Sequence, residues 1–227
     1  MKYQAVIFDL GGTLSRTAAW SEYRDAAAKI AETCSVPVEK FVETWFAHSS
    51  GLGLGTYPRY QDYIKHVCRI LSLDVAENLI ERAGDIPIAI TRQYVLKPRE
   101  GAIEILSHLK ANGYKTGLIS DCAPDVPEIW PETDFAPYFD VTVFSCAVGM
   151  NKANPQIFQI ALEKLAVKPE HCMYVADGMR NELANAAGLG MKSIQILIPE
   201  ERNDDSPIRE DWHGLVISSL KEIINLL

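Results

Sequence analysis

Hydrophobic and polar positions follow two different rhythms along this chain. Residues 3–8 (YQAVIF) form a short apolar run that predicts a buried strand. From residue 98 onward, short apolar runs alternate with segments of helical spacing. REGAIEILSHLKANG (99–113) predicts a helix that stops at Gly113. YKTGLIS (114–120) and FDVTVFS (139–145) predict strands. NPQIFQIALEKLAV (154–167) predicts an amphipathic helix with Ile157, Ile160, Ala161 and Leu165 on one stripe. HCMYVAD (171–177) predicts a strand, NELANAAGLG (181–190) a short helix, MKSIQIL (191–197) a strand and SLKEIINLL (219–227) a closing helix. Strands alternating with helices imply a parallel sheet covered on both faces, an α/β fold of Rossmann-like type.

Residues 15–97 keep only the helical rhythm. TAAWSEYRDAAAKIAETC, VEKFVETWFAHS, YQDYIKHVCRILSL and VAENLIERAGDIPIAITRQYVL all favour helix. The expected organisation is therefore an α/β core made of residues 1–14 and 98–227, interrupted after its first strand by a helical insert, residues 15–97. GLGLG (51–55) follows no strand and lacks the lysine and hydroxyl of a phosphate loop, so it reads as a flexible joint between helices. Its functional alternative is a mobile loop that touches substrate. PEERNDDSPIRED (199–211) reads as a surface loop.

Composition narrows the function more than the fold. The 227 residues suit one large domain or one domain with an insert. A net charge of -8 argues against coating nucleic acid or an anionic membrane surface, but a small phosphate needs only local positive charge. Cys34, Cys68, Cys122, Cys146 and Cys172 form no C-x-x-C pair and read as reduced thiols, most of them buried. The opening MKYQAVIF has no signal-peptide pattern, and no run approaches the ~20 apolar residues of a spanning helix, so a cytoplasmic location is expected. The sequence carries no statement of oligomeric state.

Ligands of open parallel sheets bind outside the carboxyl ends of the strands. Those ends carry Asp9, then Ser120 and Asp121, then the loop GMNKANP (149–155) with Lys152, then Asp177 and Gly178. If the strands are neighbours, two carboxylates, a lysine and a hydroxyl converge. The carboxylates can hold a divalent cation such as magnesium. The lysine and hydroxyl can hold phosphate oxygens, and one carboxylate can attack phosphorus to form an acyl phosphate.

These motifs resemble the haloacid dehalogenase superfamily of hydrolases over nearly the whole chain and in the expected order: FDLGGTL (8–14), LISD (118–121), GMNKANPQIF (149–158) and YVADGMRNELANAAGLGM (174–191). A helical cap between the first and second motifs also fits. The resemblance implies that Asp9 is the nucleophile and Ser120 the phosphate-binding hydroxyl. It implies that Lys152 is the cation steadying nucleophile and phosphate, and that Asp177 is a magnesium ligand, with Glu182 as a second acid of the fourth motif. It further implies a magnesium contact from the carbonyl of Gly11. Gly12 lets the loop approach phosphate closely, Thr13 can hold that loop, and Asp121 lies beside the phosphate. Ala153 stands where the family often has proline, and Arg180 is a nearby alternative cation whose plainer reading is a surface role.

One departure matters for chemistry. Family phosphatases usually carry a second Asp two residues after the nucleophile, which protonates the leaving group and then activates water. Here that residue is Gly11. General acid–base help is typically worth ~10²–10⁴-fold. The expected reading is a magnesium-dependent phosphohydrolase acting through an aspartyl-phosphate on a small phosphorylated metabolite. It is slow, restricted to good leaving groups such as acyl phosphates, or served by another acid, with Asp121 and Glu182 as candidates. The alternatives are a non-catalytic phosphate binder, a haloacid-cleaving enzyme, or a phosphonate-cleaving enzyme using a cap lysine (Lys29, Lys40 or Lys65). Asp177 speaks against the metal-free dehalogenases. In this family the cap reads the leaving group, which makes Arg16, Tyr57, Arg59 and Tyr60 candidate readers. Trp20, Tyr23, Trp45 and Phe46 read as cap core.

Overall fold

The computed structural model describes residues 2–198 and 209–227. The polar stretch expected as a surface loop thus lies outside the described residues except for Arg209, Glu210 and Asp211. Six strands form one sheet: β1 (Ala5–Phe8), β2 (Lys115–Ser120), β3 (Val141–Phe144), β4 (Cys172–Ala176), β5 (Lys192–Ile196) and β6 (Leu215–Ile217). Their order is β3-β2-β1-β4-β5-β6, and every pair is parallel. β6 has no counterpart in the sequence reading, because three residues after a Gly, only Ile217 of them buried, carry too little pattern to register.

β1 shows why both faces are apolar. Val6 and Phe8 point into a core built with helix α6 (Ala102–Ala111) and the C-terminal Leu220 and Ile223. Ala5 and Ile7 point the other way, against helix α9 (Gln156–Leu165) and helix α10 (Glu182–Gly188). The segment expected to close the chain as an α-helix is a 3₁₀ helix, Leu220–Leu226, started by a capping box between Ser219 and Glu222.

Residues 20–95 are helical, with α1 (Trp20–Thr33), α2 (Val38–His48), α3 (Ser50–Gly53), α4 (Tyr60–Ile70) and α5 (Glu77–Val95). They enclose their own core around Ile30, Phe41, Tyr63 and Ile64. GLGLG is partly helical: its first three residues belong to α3, and Gly55 turns the chain at φ +71°. No helix of the described residues is long and apolar enough to cross a membrane.

Candidate active site

The strand order reverses between β1 and β4, since the chain runs β1, β2, β3 outward on one side and returns to β4 on the other. A crevice opens at the carboxyl ends of strands at such a reversal. Asp9 follows β1 and Asp177 follows β4, so the two carboxylates flank it. Ser120 ends the neighbouring β2, and Lys152 reaches in from the loop between β3 and α9.

The geometry is that of a buried ionic cluster. Lys152 Nζ donates to Asp9 Oδ1 and pairs with Glu182 Oε2 at 2.6 Å. Thr13 Oγ1 donates to Asp9 Oδ2 at 3.0 Å. Asp121 Oδ1 accepts from the Lys152 backbone N–H at 2.9 Å. Oxygens of Asp9, Asp177 and Glu182 lie within 4.8 Å of one another. Asp9, Asp177, Glu182 and Lys152 are all buried.

Three buried carboxylates thus face one ammonium. Burial pushes Asp9 up to about 6 from 3.8, against the lowering pull of Lys152. Asp177 is held well above its usual range by burial, then by Asp9 and Glu182. Burial pulls the Lys152 ammonium down, but Asp9, Glu182 and Asp121 outweigh it and hold Lys152 charged. Asp177 Oδ1 is buried without a hydrogen-bond partner. A cluster short of positive charge, with an orphaned carboxylate oxygen aimed into it, fits a hard divalent cation such as magnesium.

The three carboxylates are not equivalent as ion ligands. Glu182 Oε1 accepts from the backbone N–H groups of Gly178 (3.1 Å) and Met179 (2.8 Å), and Oε2 accepts from Tyr174 Oη (2.6 Å) as well as facing Lys152. Each Glu182 oxygen thus has two protein partners, against one on each Asp9 oxygen and none on Asp177 Oδ1, which leaves Asp9 and Asp177 with the freer lone pairs. The same partners remove Glu182 from contention as a proton donor to a leaving group. Asp121 retains a buried Oδ2 with no hydrogen-bond partner.

The two glycines after Asp9 divide in role. Gly12 adopts φ +80°, and a Cβ there would sit 2.5 Å from Asp177 Oδ2, so only glycine closes the turn beside that carboxylate. Its carbonyl is held by Arg99 at 2.9 Å. Gly11 has no positive φ, and a Cβ there meets only Thr17, at 3.9 Å. Its missing side chain is a choice of chemistry, not of space.

Several supports have no role in the sequence reading, although Tyr174 and Asn185 lie within the fourth motif. Arg99 opens the second α/β segment and reaches back across it. Tyr174 holds Glu182 from within β4. Asn185 Nδ2 donates to the Lys152 carbonyl at 2.8 Å. Arg209 donates to the Asp177 carbonyl at 3.1 Å and faces its Oδ2 at 3.9 Å, and Glu210 accepts from Leu183 and Ala184 at the start of α10. The alternation rules that reveal elements are blind to such long-range hydrogen bonds.

The helical layer contributes differently. Arg59, expected as a substrate reader, pairs with Glu81 at 2.9 Å and with Asp62 at 4.0 Å, so its partners are within that layer. Tyr57 packs against Tyr63 and His66. Tyr60 lines a cavity of about 390 Å³ together with Trp20, Tyr23, Trp45, Phe46 and Arg180. The cap-core expectation describes Trp45, which is buried, and Phe46, which packs against the same core. It is corrected for Trp20 and Tyr23, which are 62% and 41% exposed at the cavity. Arg180 is exposed, as its surface reading expects, and it also lines the cavity. It follows Asp177 by three residues and is close enough to Asp121 to favour that carboxylate's charge.

Comparison with known proteins agrees with this architecture. The family described as haloacid dehalogenase-like hydrolases matches residues 3–190. A glyceraldehyde 3-phosphate phosphatase of Pyrococcus furiosus is 27% identical, with 100% of this chain and 93% of that one aligned. Among solved structures, a HAD phosphatase from Thermococcus onnurineus aligns with a TM-score of 0.64 at 22% identity, covering 98% of this chain and 97% of that one. A 2-haloacid dehalogenase from Pseudomonas syringae pv. Tomato DC3000 aligns with a TM-score of 0.72 at 22% identity, covering 99% and 97%. The chain belongs to the haloacid dehalogenase-like hydrolases, a family of enzymes, and the two structural likenesses share its fold without choosing between phosphorus and carbon as the atom attacked.

Proposed function

We propose that this protein is a magnesium-dependent phosphohydrolase that works through an aspartyl-phosphate on Asp9, with residues 15–97 as a cap over the site. The observation that carries the reading is the charge imbalance at the β1/β4 reversal: Asp9, Asp177 and Glu182 together, opposed by Lys152 within the cluster and by Arg209 at its edge, 3.9 Å from Asp177. Asp9, Asp177 and the Gly11 carbonyl are the groups that would hold the ion. Bound there, a divalent cation neutralises phosphoryl oxygens and draws charge away from phosphorus.

The protein's own groups then have separable tasks. Lys152 keeps Asp9 ionised and offers positive charge to the phosphoryl group. Glu182, anchored by Tyr174 and two backbone N–H groups, fixes Lys152 in place. Ser120 and the turn at Gly12 and Thr13 bind phosphoryl oxygens. Asp9 attacks phosphorus as the ester P–O bond breaks, and water then releases phosphate and restores the carboxylate. The relatives named glyceraldehyde 3-phosphate phosphatases put a triose phosphate among the substrates to assay.

The test is hydrolysis of p-nitrophenyl phosphate and acetyl phosphate, with and without magnesium, by the wild type and Asp9→Asn. Metal-dependent turnover that disappears in the variant is expected. Dehalogenation of a haloacid without metal, with no phosphate release, would sink the reading.

A further inference from the structure

Two independent features of this chain concern the leaving group. The first is position 11, where a Cβ would meet only Thr17, at 3.9 Å, and no acidic side chain is present. The second is the aromatic cavity. Its volume of about 390 Å³ is equivalent to roughly a dozen waters at ~30 Å³ each, well beyond what a three-carbon sugar fills. Asp9, Lys152, Asp177 and Glu182 do not line it, and side-chain neighbours link it to the nucleophile loop. Thr17, the neighbour that a Gly11 side chain would meet, shares a 3.4 Å hydrogen bond with Tyr23, which lines the cavity. Arg180 joins the cavity to the Asp177 loop.

Two of the cavity's rings, Trp20 and Tyr23, stand exposed beside rings that pack on the cap core, and apolar surface left open at a cavity suits a ligand. The rings of Trp20 and Phe46 lie 4.7 Å apart, leaving the outer face of Trp20 in solvent. Flat apolar walls of this kind suit another ring. With no acid at position 11, the leaving oxygen must depart as an anion. Phenols, with pKa near 10, do so far more readily than aliphatic alcohols, which resemble water at about 15.7.

We propose, building on the phosphohydrolase reading, that the substrate is a small aryl phosphate. Its ring sits among Trp20, Tyr23, Trp45, Phe46 and Tyr60, and its phenolic oxygen is the leaving group. A bond forms between an Asp9 oxygen and phosphorus as the bond from phosphorus to the phenolic oxygen breaks. The phenolate leaves with the electron pair and takes its proton from water. A second water attacks the aspartyl-phosphate, giving inorganic phosphate and free Asp9.

The experiment compares kcat/KM of the magnesium-loaded protein for 1-naphthyl phosphate, 2-phenylethyl phosphate, glyceraldehyde 3-phosphate and acetyl phosphate. 1-Naphthyl phosphate is expected to exceed the triose phosphate by at least about 100-fold. 2-Phenylethyl phosphate, which keeps a ring but leaves as an alkoxide, is expected to bind comparably and turn over ~10²–10⁴-fold more slowly. Gly11→Asp is expected to narrow that gap by about 100-fold. Trp20→Ala is expected to lower the naphthyl-to-acetyl ratio of kcat/KM about ten-fold. It should also weaken binding of 1-naphthylmethylphosphonate, read as tryptophan quenching, by a similar factor.

Equal turnover of the naphthyl and phenylethyl esters would overturn the proposal and point to Asp121 as a proton donor. So would a preference for the triose phosphate. If acetyl phosphate is hydrolysed through Asp9 without any aryl preference, the aryl assignment fails and the phosphohydrolase reading stands. If no phosphate compound is hydrolysed, both fail.

Discussion

The strand-end cluster and the helical cavity are built from opposite materials. The first is four buried charged groups held by hydrogen bonds with almost no freedom of composition. The second is aromatic and aliphatic side chains whose identities are those of an ordinary core. Charge buried at a fixed geometry is costly unless used, so each member of the cluster implies its neighbours. Apolar surface is cheap to place and needs no partner, so the cavity emerges only when helices are packed together. The difference predicts that perturbing the first region is expensive for stability and that perturbing the exposed rim of the second is not.

The sharpest way to break that comparison is Lys152→Met. Removing the only ammonium leaves Asp9 and Glu182 buried without their counter-charge, and removing one partner of a buried pair costs about 3–5 kcal/mol. In a chain of 227 residues this is a fall in melting temperature on the order of 10 °C. Calorimetry showing a fall under about 2 °C would mean that Lys152 does not balance the buried charge of Asp9 and Glu182.

A smaller effect comes from supplying the missing positive charge. Without an ion, Asp9 is raised from 3.8 to about 6, so the folded state binds protons more tightly than the unfolded chain. Its contribution to stability is therefore present below pH 3.8 and is lost as pH rises through about 6. Asp177 shifts in the same direction. Magnesium at about 100 times its Kd should restore about 2.7 kcal/mol at pH 7.5, or roughly 5–10 °C. At pH 5 the ion must displace protons, so the gain there should be clearly smaller. A magnesium shift of equal size at both pH values would separate the ion from these carboxylates.

How much of either region was legible follows from the same contrast. Asp9, Ser120, Lys152 and Asp177 were readable because each ends a strand or follows one, and strand ends meet at the order reversal whatever the intervening residues are. Gly12 was readable because a turn at positive φ against a carboxylate admits nothing larger. Arg99, Tyr174 and Arg209 were not, since each serves the site from a position fixed only by tertiary packing. Trp20 was misread for the reverse reason: an aromatic at helical spacing predicts burial, yet α1 turns it outward at the cavity mouth. Arg59 pairs with Glu81, and the exposed Arg180 lines the cavity, contacts that spacing along the chain does not reveal.

Adjacent glycines offer a comparison inside the cluster. Gly12→Ala puts a Cβ 2.5 Å from Asp177 Oδ2 at a φ of +80°, which should cost about 1–3 kcal/mol. Gly11→Ala meets only Thr17 at 3.9 Å and should change stability by less than about 0.5 kcal/mol. Denaturant unfolding of the two variants side by side checks this, and equal losses would contradict the division of labour between a structural and a chemical glycine.

The smallest effect is expected at the cavity rim, where the comparison is most easily refuted. Trp20 is 62% exposed and begins α1, so Trp20→Ala removes little buried area and adds a better helix former. Its stability should stay within about 0.5 kcal/mol of the wild type. Phe41→Ala, in the interior of the same helical layer, should cost about 3–5 kcal/mol because it opens a cavity among Ile30, Tyr63 and their neighbours. If Trp20→Ala proved as damaging as Phe41→Ala, the ring would be holding the helices together rather than standing open beside them. The aromatic wall would then be core after all, and the space it borders would lose its claim to a ligand.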